Sequence, residues 1–223
     1  MGQYWLSVNL TRGRYAHGGD AKLAELAGGK HPRASYLPRL VAALRPGGLW
    51  SGHRVLLTGD YDDDRRGRVD AYLAVHGLMK KVKTGEEDAT PEEERAATRA
   101  TSCLYSLLWS GPLSGTSDKY ELGWDYEALL SLDNTPADKA APLEVAVSHD
   151  AAQRLTLHSH NAHVTLMCLL AESSGGGGGD IEVSFRGAWA GHRVEVLPAD
   201  AADARYADVT AMTVKEVQEA EDW

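Results

Sequence analysis

Cysteine and long apolar runs are scarce in this chain, and each shortage excludes a class of protein. Only Cys103 and Cys168 occur among 223 residues, too few for a disulfide framework or for a metal site of four thiolates. The longest apolar run, residues 164–171, is too short to cross a bilayer. The chain does not open on a basic segment followed by an apolar stretch, so we expect no secretory signal and a cytoplasmic location with reduced thiols.

Positive charge is also in short supply. The chain has 23 Lys and Arg against 32 Asp and Glu, which gives a formal net charge of −9 at pH 7. A net negative field repels phosphate backbones and anionic lipid, so we expect neither nucleic acid nor a membrane surface as a partner. Hydrophobic residues at 43% and charged residues at 25% are typical of a folded globular protein. The length then predicts a single domain that covers residues 1–223.

The spacing of apolar residues predicts both helices and strands. Alternation with a period of two predicts strands at residues 3–11, 143–148, 154–160, 180–185 and 193–197, and the apolar run within residues 54–58 predicts a buried strand. Helical spacing and end signals predict helices at residues 20–27, 37–44, 69–82, 90–109 and 213–222. Residues 164–171 fit a buried helix or a buried strand equally well. The predicted fold is α+β, with a mainly antiparallel sheet and helices packed on one face.

One eight-residue segment occurs twice. Residues 48–55 read GLWSGHRV and residues 187–194 read GAWAGHRV, and six of the eight positions are identical. Both copies could be one local device, with a buried Trp (Trp50 or Trp189) and a glycine at positive φ before a strand. Alternatively, the repeated dipeptides could line one shared ligand site; the candidate ligand-binding residues are His53, Arg54, His192 and Arg193.

The same residues carry a resemblance to other proteins. The opening Met1-Gly2-Gln3-Tyr4-Trp5, the two Trp-x-Gly-His-Arg segments and the Gly59-Asp60-Tyr61 triplet resemble a family of uncharacterised proteins from fungi and other microbial eukaryotes. The resemblance covers the first sixty residues and patches of the last third. It implies an intracellular, single-domain protein, and it carries no activity and no catalytic residues.

Two groups of side chains are candidate metal ligands. Asp60, Asp62 and Asp64 alternate in a loop, as hard cations such as Ca²⁺ or Mg²⁺ require, although Arg65 stands where a calcium loop needs glycine. The other interpretation of this segment is a solvated loop that pairs with its own arginines.

The second group of candidate metal ligands consists of His158, His160 and His163. On a strand the first two would project from one face about 7 Å apart, a spacing that Zn²⁺ can bridge. The alternative is a polar outer strand face.

These patterns leave the function open. No nucleophile elbow and no dinucleotide fingerprint occur, so the sequence does not decide whether the protein is an enzyme. We expect a non-catalytic binding or interaction protein whose partner is a small molecule, a glycan or a protein. One alternative is a metal-dependent, hydrolase-like enzyme that uses the His and Asp groups. Another is a carbohydrate-binding module, since six Trp and nine Tyr against one Phe suit sugar platforms.

Overall fold

The computed structural model describes residues 5–12, 14–17, 36–59, 123–124, 143–171 and 181–221. In chain order, the elements there are β1 (Trp5–Asn9), β2 (Arg14–His17), α1 (Tyr36–Leu44), β3 (His53–Gly59), β4 (Gly123–Trp124), β5 (Glu144–Ser148), β6 (Gln153–Thr156), α2 (His160–Leu170), β7 (His192–Pro198), β8 (Ala207–Asp208) and α3 (Thr210–Glu221). The predicted α+β class is confirmed. No helix within these ranges is long and apolar enough to span a bilayer.

The strands form one sheet with the order β4-β2-β1-β3-β7-β5-β6-β8. All neighbouring strands are antiparallel except at the two edges, where β4 runs parallel to β2 and β8 runs parallel to β6. The sheet is therefore mainly antiparallel, as predicted.

The two halves of this sheet have the same construction. Adding 139 to both residue numbers turns the β1·β3 pair Trp5–Gly59 into the β5·β7 pair Glu144–Pro198. The registers of the β1·β2 and β5·β6 hairpins differ by the same 139. In each half a hairpin is followed by a helix and then by the third strand, which pairs with the first. The repeat seen in eight residues of sequence thus extends over three strands of each half.

The helices and one face of the sheet enclose a single apolar cluster. Leu37, Leu40, Val41 and Leu44 lie on one side of α1, with the spacing of an amphipathic helix. By contrast, α2 buries eight of its eleven residues, because helix or sheet surrounds it on most sides. The buried cluster joins both halves; its members on the sheet include Trp5, Val55, Leu57, Ala146, Leu155, Val194 and Val196.

Both copies of the repeated segment form the same turn. The indoles of Trp50 and Trp189 are each 0% exposed, which confirms the prediction that both are buried. The backbone N–H of each Trp donates to a carbonyl near the end of the preceding helix, with an N···O distance of 2.8 Å in both copies. Gly52 and Gly191 have φ of +68° and +75°, a conformation that glycine adopts without steric cost.

Two predicted strands differ from the structure. β6 ends at Thr156, and a helix capped by the Ser159 side chain begins where the strand was expected to continue. The strand predicted at residues 180–185 is wrong, since residues 181–185 lie in irregular structure and turns. The segment that follows donates backbone N–H groups to the Cys168 and Leu169 carbonyls of α2 instead of to a strand. The helices predicted at 20–27, 69–82 and 90–109 lie outside the described residues, as does Cys103.

We predict that Gly52→Ala lowers the free energy of unfolding by about 1 kcal/mol, measured by urea denaturation. No heavy atom lies within 4 Å of the added Cβ, so the cost is that of the left-handed backbone alone. Gly48→Ala is the comparison, because its Cβ would lie 2.4 Å from the Ala43 carbonyl oxygen and should cost more. A Gly52→Ala protein as stable as wild type would contradict this account of the turn.

We also predict that Ser7→Ala leaves stability unchanged or raises it by up to about 1 kcal/mol. The Ser7 hydroxyl is buried, the residue being 1% exposed, and it makes no hydrogen bond in the described part of the chain. The equivalent position in the other half is Ala146, which shows that the fold accepts alanine there. The reciprocal variant Ala146→Ser should lose about 1–3 kcal/mol in the same denaturation assay. Equal effects of the two variants would refute the equivalence.

Candidate functional site

The two repeated segments meet at the centre of the sheet. The β3·β7 ladder has three residue pairs, namely His53 with Val194, Arg54 with Arg193 and Val55 with His192. The shift of 139 that relates the halves exchanges Arg54 with Arg193, so this middle pair lies on the pseudo-two-fold axis. The sequence did not reveal whether the segments would meet, and the structure places them directly opposite each other.

The two arginines form a non-hydrogen-bonded pair, the type in which opposite side chains lie closest. The Arg54 N–H donates to Thr11 Oγ1 at 2.8 Å, and the Arg193 N–H donates to Asp150 Oδ2 at 2.8 Å. Their carbonyls likewise accept from the turns beside them and not from each other. In such pairs the Cα atoms are about 4.5 Å apart. Two positive side chains therefore leave the same face of the sheet side by side.

A single carboxylate lies between them. Asp150 Oδ1 accepts from Arg193 Nε at 3.1 Å and from Nη2 at 2.9 Å, while Oδ2 accepts from Arg54 Nη1 at 3.2 Å. Burial raises the pKa of Asp150, but the hydrogen bonds from Arg193 and the charges of both arginines outweigh it, so the pKa is lowered overall. Asp150 is therefore ionised at neutral pH, and the three groups together carry one net positive charge.

The arginine pair is accessible to solvent. The Arg54 side chain is 35% exposed, Arg193 is 52% exposed and Asp150 is 21% exposed. The described hydrogen bonds of the Arg54 guanidinium all use Nη1, which contacts Asp150 and the Gly191 carbonyl. Its Nη2 and Nε groups make no hydrogen bond to the residues that the structure describes. This face of the sheet can hold an anionic group.

The two histidines of the repeated segments lie on the opposite face, since successive side chains of a strand alternate. Asn9 Nδ2 lies 3.0 Å from His53 Nδ1, and Ser148 Oγ lies 2.9 Å from His192 Nδ1. Asn9 and Ser148 are equivalent under the shift of 139. The four predicted ligand-binding residues thus form two pairs on opposite faces, and they do not line one site.

Hydrogen bonding fixes the tautomer of His53. The Arg12 backbone N–H donates to Asn9 Oδ1 at 3.0 Å, so the Asn9 amide group points its N–H toward His53 Nδ1. Nδ1 accepts this bond, and the proton of neutral His53 is on Nε2. Burial, followed by the charge of Arg12, lowers the pKa of His53. His53 is therefore neutral at pH 7.

A further polar chain lies beside the arginines. Tyr206 Oη is 2.8 Å from His149 Nδ1, and His149 Nε2 is 3.4 Å from Glu195 Oε2. Ser51 Oγ donates to Glu195 Oε1 at 2.7 Å. No sequence motif marks Glu195, and the spacing of the histidines placed His149 near the His158 group and not beside Tyr206 and Glu195.

Asp150 and Thr11 were also missed, although a signal for them exists in the sequence. The repeated octapeptides begin at residues 48 and 187, which gives a shift of 139. Applying that shift to the turn after the first strand aligns Thr11 with Asp150, the two side chains that accept the arginine N–H groups.

The predicted metal ligands do not converge in the described residues. His158 follows β6, and its Nδ1 lies 3.1 Å from the Thr156 carbonyl. His160 is the first residue of α2, and His163 Nδ1 lies 2.9 Å from the Ser159 carbonyl. The strand geometry on which the zinc proposal rested is absent. No group of three or more His, Cys, Asp or Glu side chains in the described ranges could hold a metal ion. Asp60, Asp62 and Asp64 lie outside those ranges.

We predict that Asp150→Asn destabilises the protein by about 1 kcal/mol at pH 6, and that the difference shrinks in acid. The pKa of Asp150 is lowered from its ordinary 3.8 in the folded protein. The contribution of ionised Asp150 to the free energy of unfolding is therefore complete above pH 3.8. It is lost as the pH falls through the lower pKa that Asp150 has in the folded protein. Urea denaturation of both proteins between pH 6 and pH 2 measures the difference. Asp203→Asn is the control, because Asp203 is 55% exposed and its ion pair with Arg205 is 3.5 Å long. A difference independent of pH would contradict the prediction.

Comparison with known proteins gives this chain no relative. No protein-family model, no curated protein and no solved structure matches it. Its chemistry therefore has to be inferred from its own geometry, of which the arginine pair on the pseudo-two-fold axis is the most distinctive part.

Proposed function

We propose that this protein is a non-catalytic binding protein whose ligand presents a negatively charged group to Arg54 and Arg193. The observation that carries the proposal is the direct opposition of two solvent-accessible guanidinium side chains that share one carboxylate. Like charges directly opposite each other on a sheet are destabilising. A second anion would relieve the repulsion that Asp150 only partly offsets.

The chemistry of the two side chains suits this role. A guanidinium is planar, always charged and able to form two parallel hydrogen bonds to a carboxylate or phosphate. The chain as a whole carries −9, so a local positive charge is unusual in it.

The hydroxyls that contact side chains of β7 support binding more than catalysis. Ser148 contacts an imidazole, as a nucleophile would, but the residue is 0% exposed, so a substrate has no access to Oγ. Ser51 donates to the Glu195 carboxylate and not to a histidine. Neither serine has the accessible nucleophile–base geometry of acyl transfer.

The two alternative functions receive no support from the described residues. A metal-dependent hydrolase needs converging ligands, and none converge there. A sugar platform needs an accessible indole, and Trp5, Trp50 and Trp189 are at most 1% exposed. The side chains of Trp124 and Trp223 lie outside the described part of the chain.

The proposal is tested by titrating the protein with benzoate, a simple carboxylate, at low ionic strength. Binding is followed by calorimetry and by NMR shifts of arginine Nε–H groups. We expect the double variant Arg54→Gln/Arg193→Gln to bind benzoate at least about tenfold more weakly, because charge-assisted hydrogen bonds are lost.

The matched control is Arg45→Gln. Like each of the two substitutions in the double variant, it removes one positive charge, but at a position outside the arginine pair. Arg45 is paired with Glu144 through bonds of 2.6 Å and 3.0 Å, away from the axis. It should bind benzoate like wild type. If wild type does not bind benzoate, or if the double variant binds it as well as wild type does, the proposed function is wrong.

A further inference from the structure

Resting on the proposed function, we propose that Asp150 determines the charge of the ligand: it admits singly charged carboxylates and disfavours doubly charged phosphate monoesters. Asp150 would then be a specificity-determining residue of the arginine site and not only a structural ion pair.

The carboxylate of Asp150 lies where a bound anion would lie. It accepts hydrogen bonds from the backbone N–H, Nε and Nη2 of Arg193 and from Nη1 of Arg54. Two guanidinium groups and a backbone N–H are the donors with which proteins commonly hold carboxylate and phosphate groups. A ligand must therefore bind beside this carboxylate and experience its charge.

The other half of the molecule shows that the fold does not require a carboxylate at this position. Thr11 is the equivalent of Asp150. The Thr11 hydroxyl accepts a hydrogen bond from the Arg54 N–H at 2.8 Å, and the Asp150 carboxylate accepts one from the Arg193 N–H at the same distance. A neutral oxygen is thus sufficient for the backbone bond. The negative charge of Asp150 is an addition found in one half alone, and it acts on whatever the arginines bind.

The charge balance gives the direction of the preference. Arg54 and Arg193 carry +2 and Asp150 carries −1, so one negative charge on a ligand makes the site neutral. A phosphate monoester, whose second pKa is about 6, carries nearly two negative charges at pH 8 and leaves the site negative. Glu195 lies two residues beyond Arg193 on the same strand face, and the charge of its carboxylate adds repulsion.

The test compares benzoate with phenyl phosphate at pH 8, titrated by calorimetry into wild type and into Asp150→Thr. This variant copies the residue of the other half, so it keeps an acceptor for the Arg193 N–H while removing the charge. We expect wild type to bind benzoate more tightly than phenyl phosphate. Asp150→Thr should raise the affinity for both ligands. Because the Coulomb energy is proportional to ligand charge, the factor by which the affinity for phenyl phosphate rises should be about the square of the factor for benzoate. A gain of about threefold for benzoate would thus accompany a gain of about tenfold for phenyl phosphate.

Asp150→Asn is the second variant, since it removes the charge while preserving the shape of the side chain, and it should shift the preference in the same direction. An unchanged ratio of the two affinities in both variants, with both ligands still bound through Arg54 and Arg193, would overturn this inference and leave the proposed function intact. No binding of either ligand to wild type or to either variant would overturn both.

Discussion

The short ladder between β3 and β7 is the interaction on which the rest of the structure depends. In the described residues it is the one ladder between named strands that joins the two four-stranded halves, and it contains three residue pairs. An isolated bridge between Leu57 and Ala171 also joins them. So short a ladder is stabilised by what surrounds it. Two helices reinforce it because they cross the junction: α1 packs against β7 of the other half, and α2 packs against β3. The Arg45–Glu144 ion pair connects the same two halves.

The repeat separates what this fold requires from what it tolerates. The Trp-x-Gly-His-Arg sequence is the same in both halves, because in each the backbone must turn at a glycine, bury an indole and enter the central strand. Asn9 and Ser148 differ in sequence but hold their imidazoles in the same way. Thr11 and Asp150 differ in charge while capping equivalent N–H groups. The halves therefore agree where the backbone is constrained, and they differ at positions where two different side chains can make an equivalent hydrogen bond.

Local spacing predicted the longer strands and one amphipathic helix. Alternation located β1, β5 and β7, a short apolar run located β3, and amphipathic spacing located α1 to within one residue. It left α2 undecided because a helix buried on most sides has no polar stripe. It failed at residues 181–185, and the segment after them is held by carbonyls at the end of a distant helix, which local spacing does not report. The site was half predicted: Arg54 and Arg193 were identified, but strand alternation separates them from His53 and His192.

The two short outer strands have a consequence for the behaviour of the protein at high concentration. An exposed sheet edge is a template on which another chain can add a strand, and long flat edges promote aggregation. Here β4 and β8 each have two residues. At the β8 edge, Asp208 accepts the Thr210 N–H at 2.9 Å, and the chain passes at once into α3. A neighbouring molecule therefore finds almost no continuous backbone at this edge with which to extend the sheet.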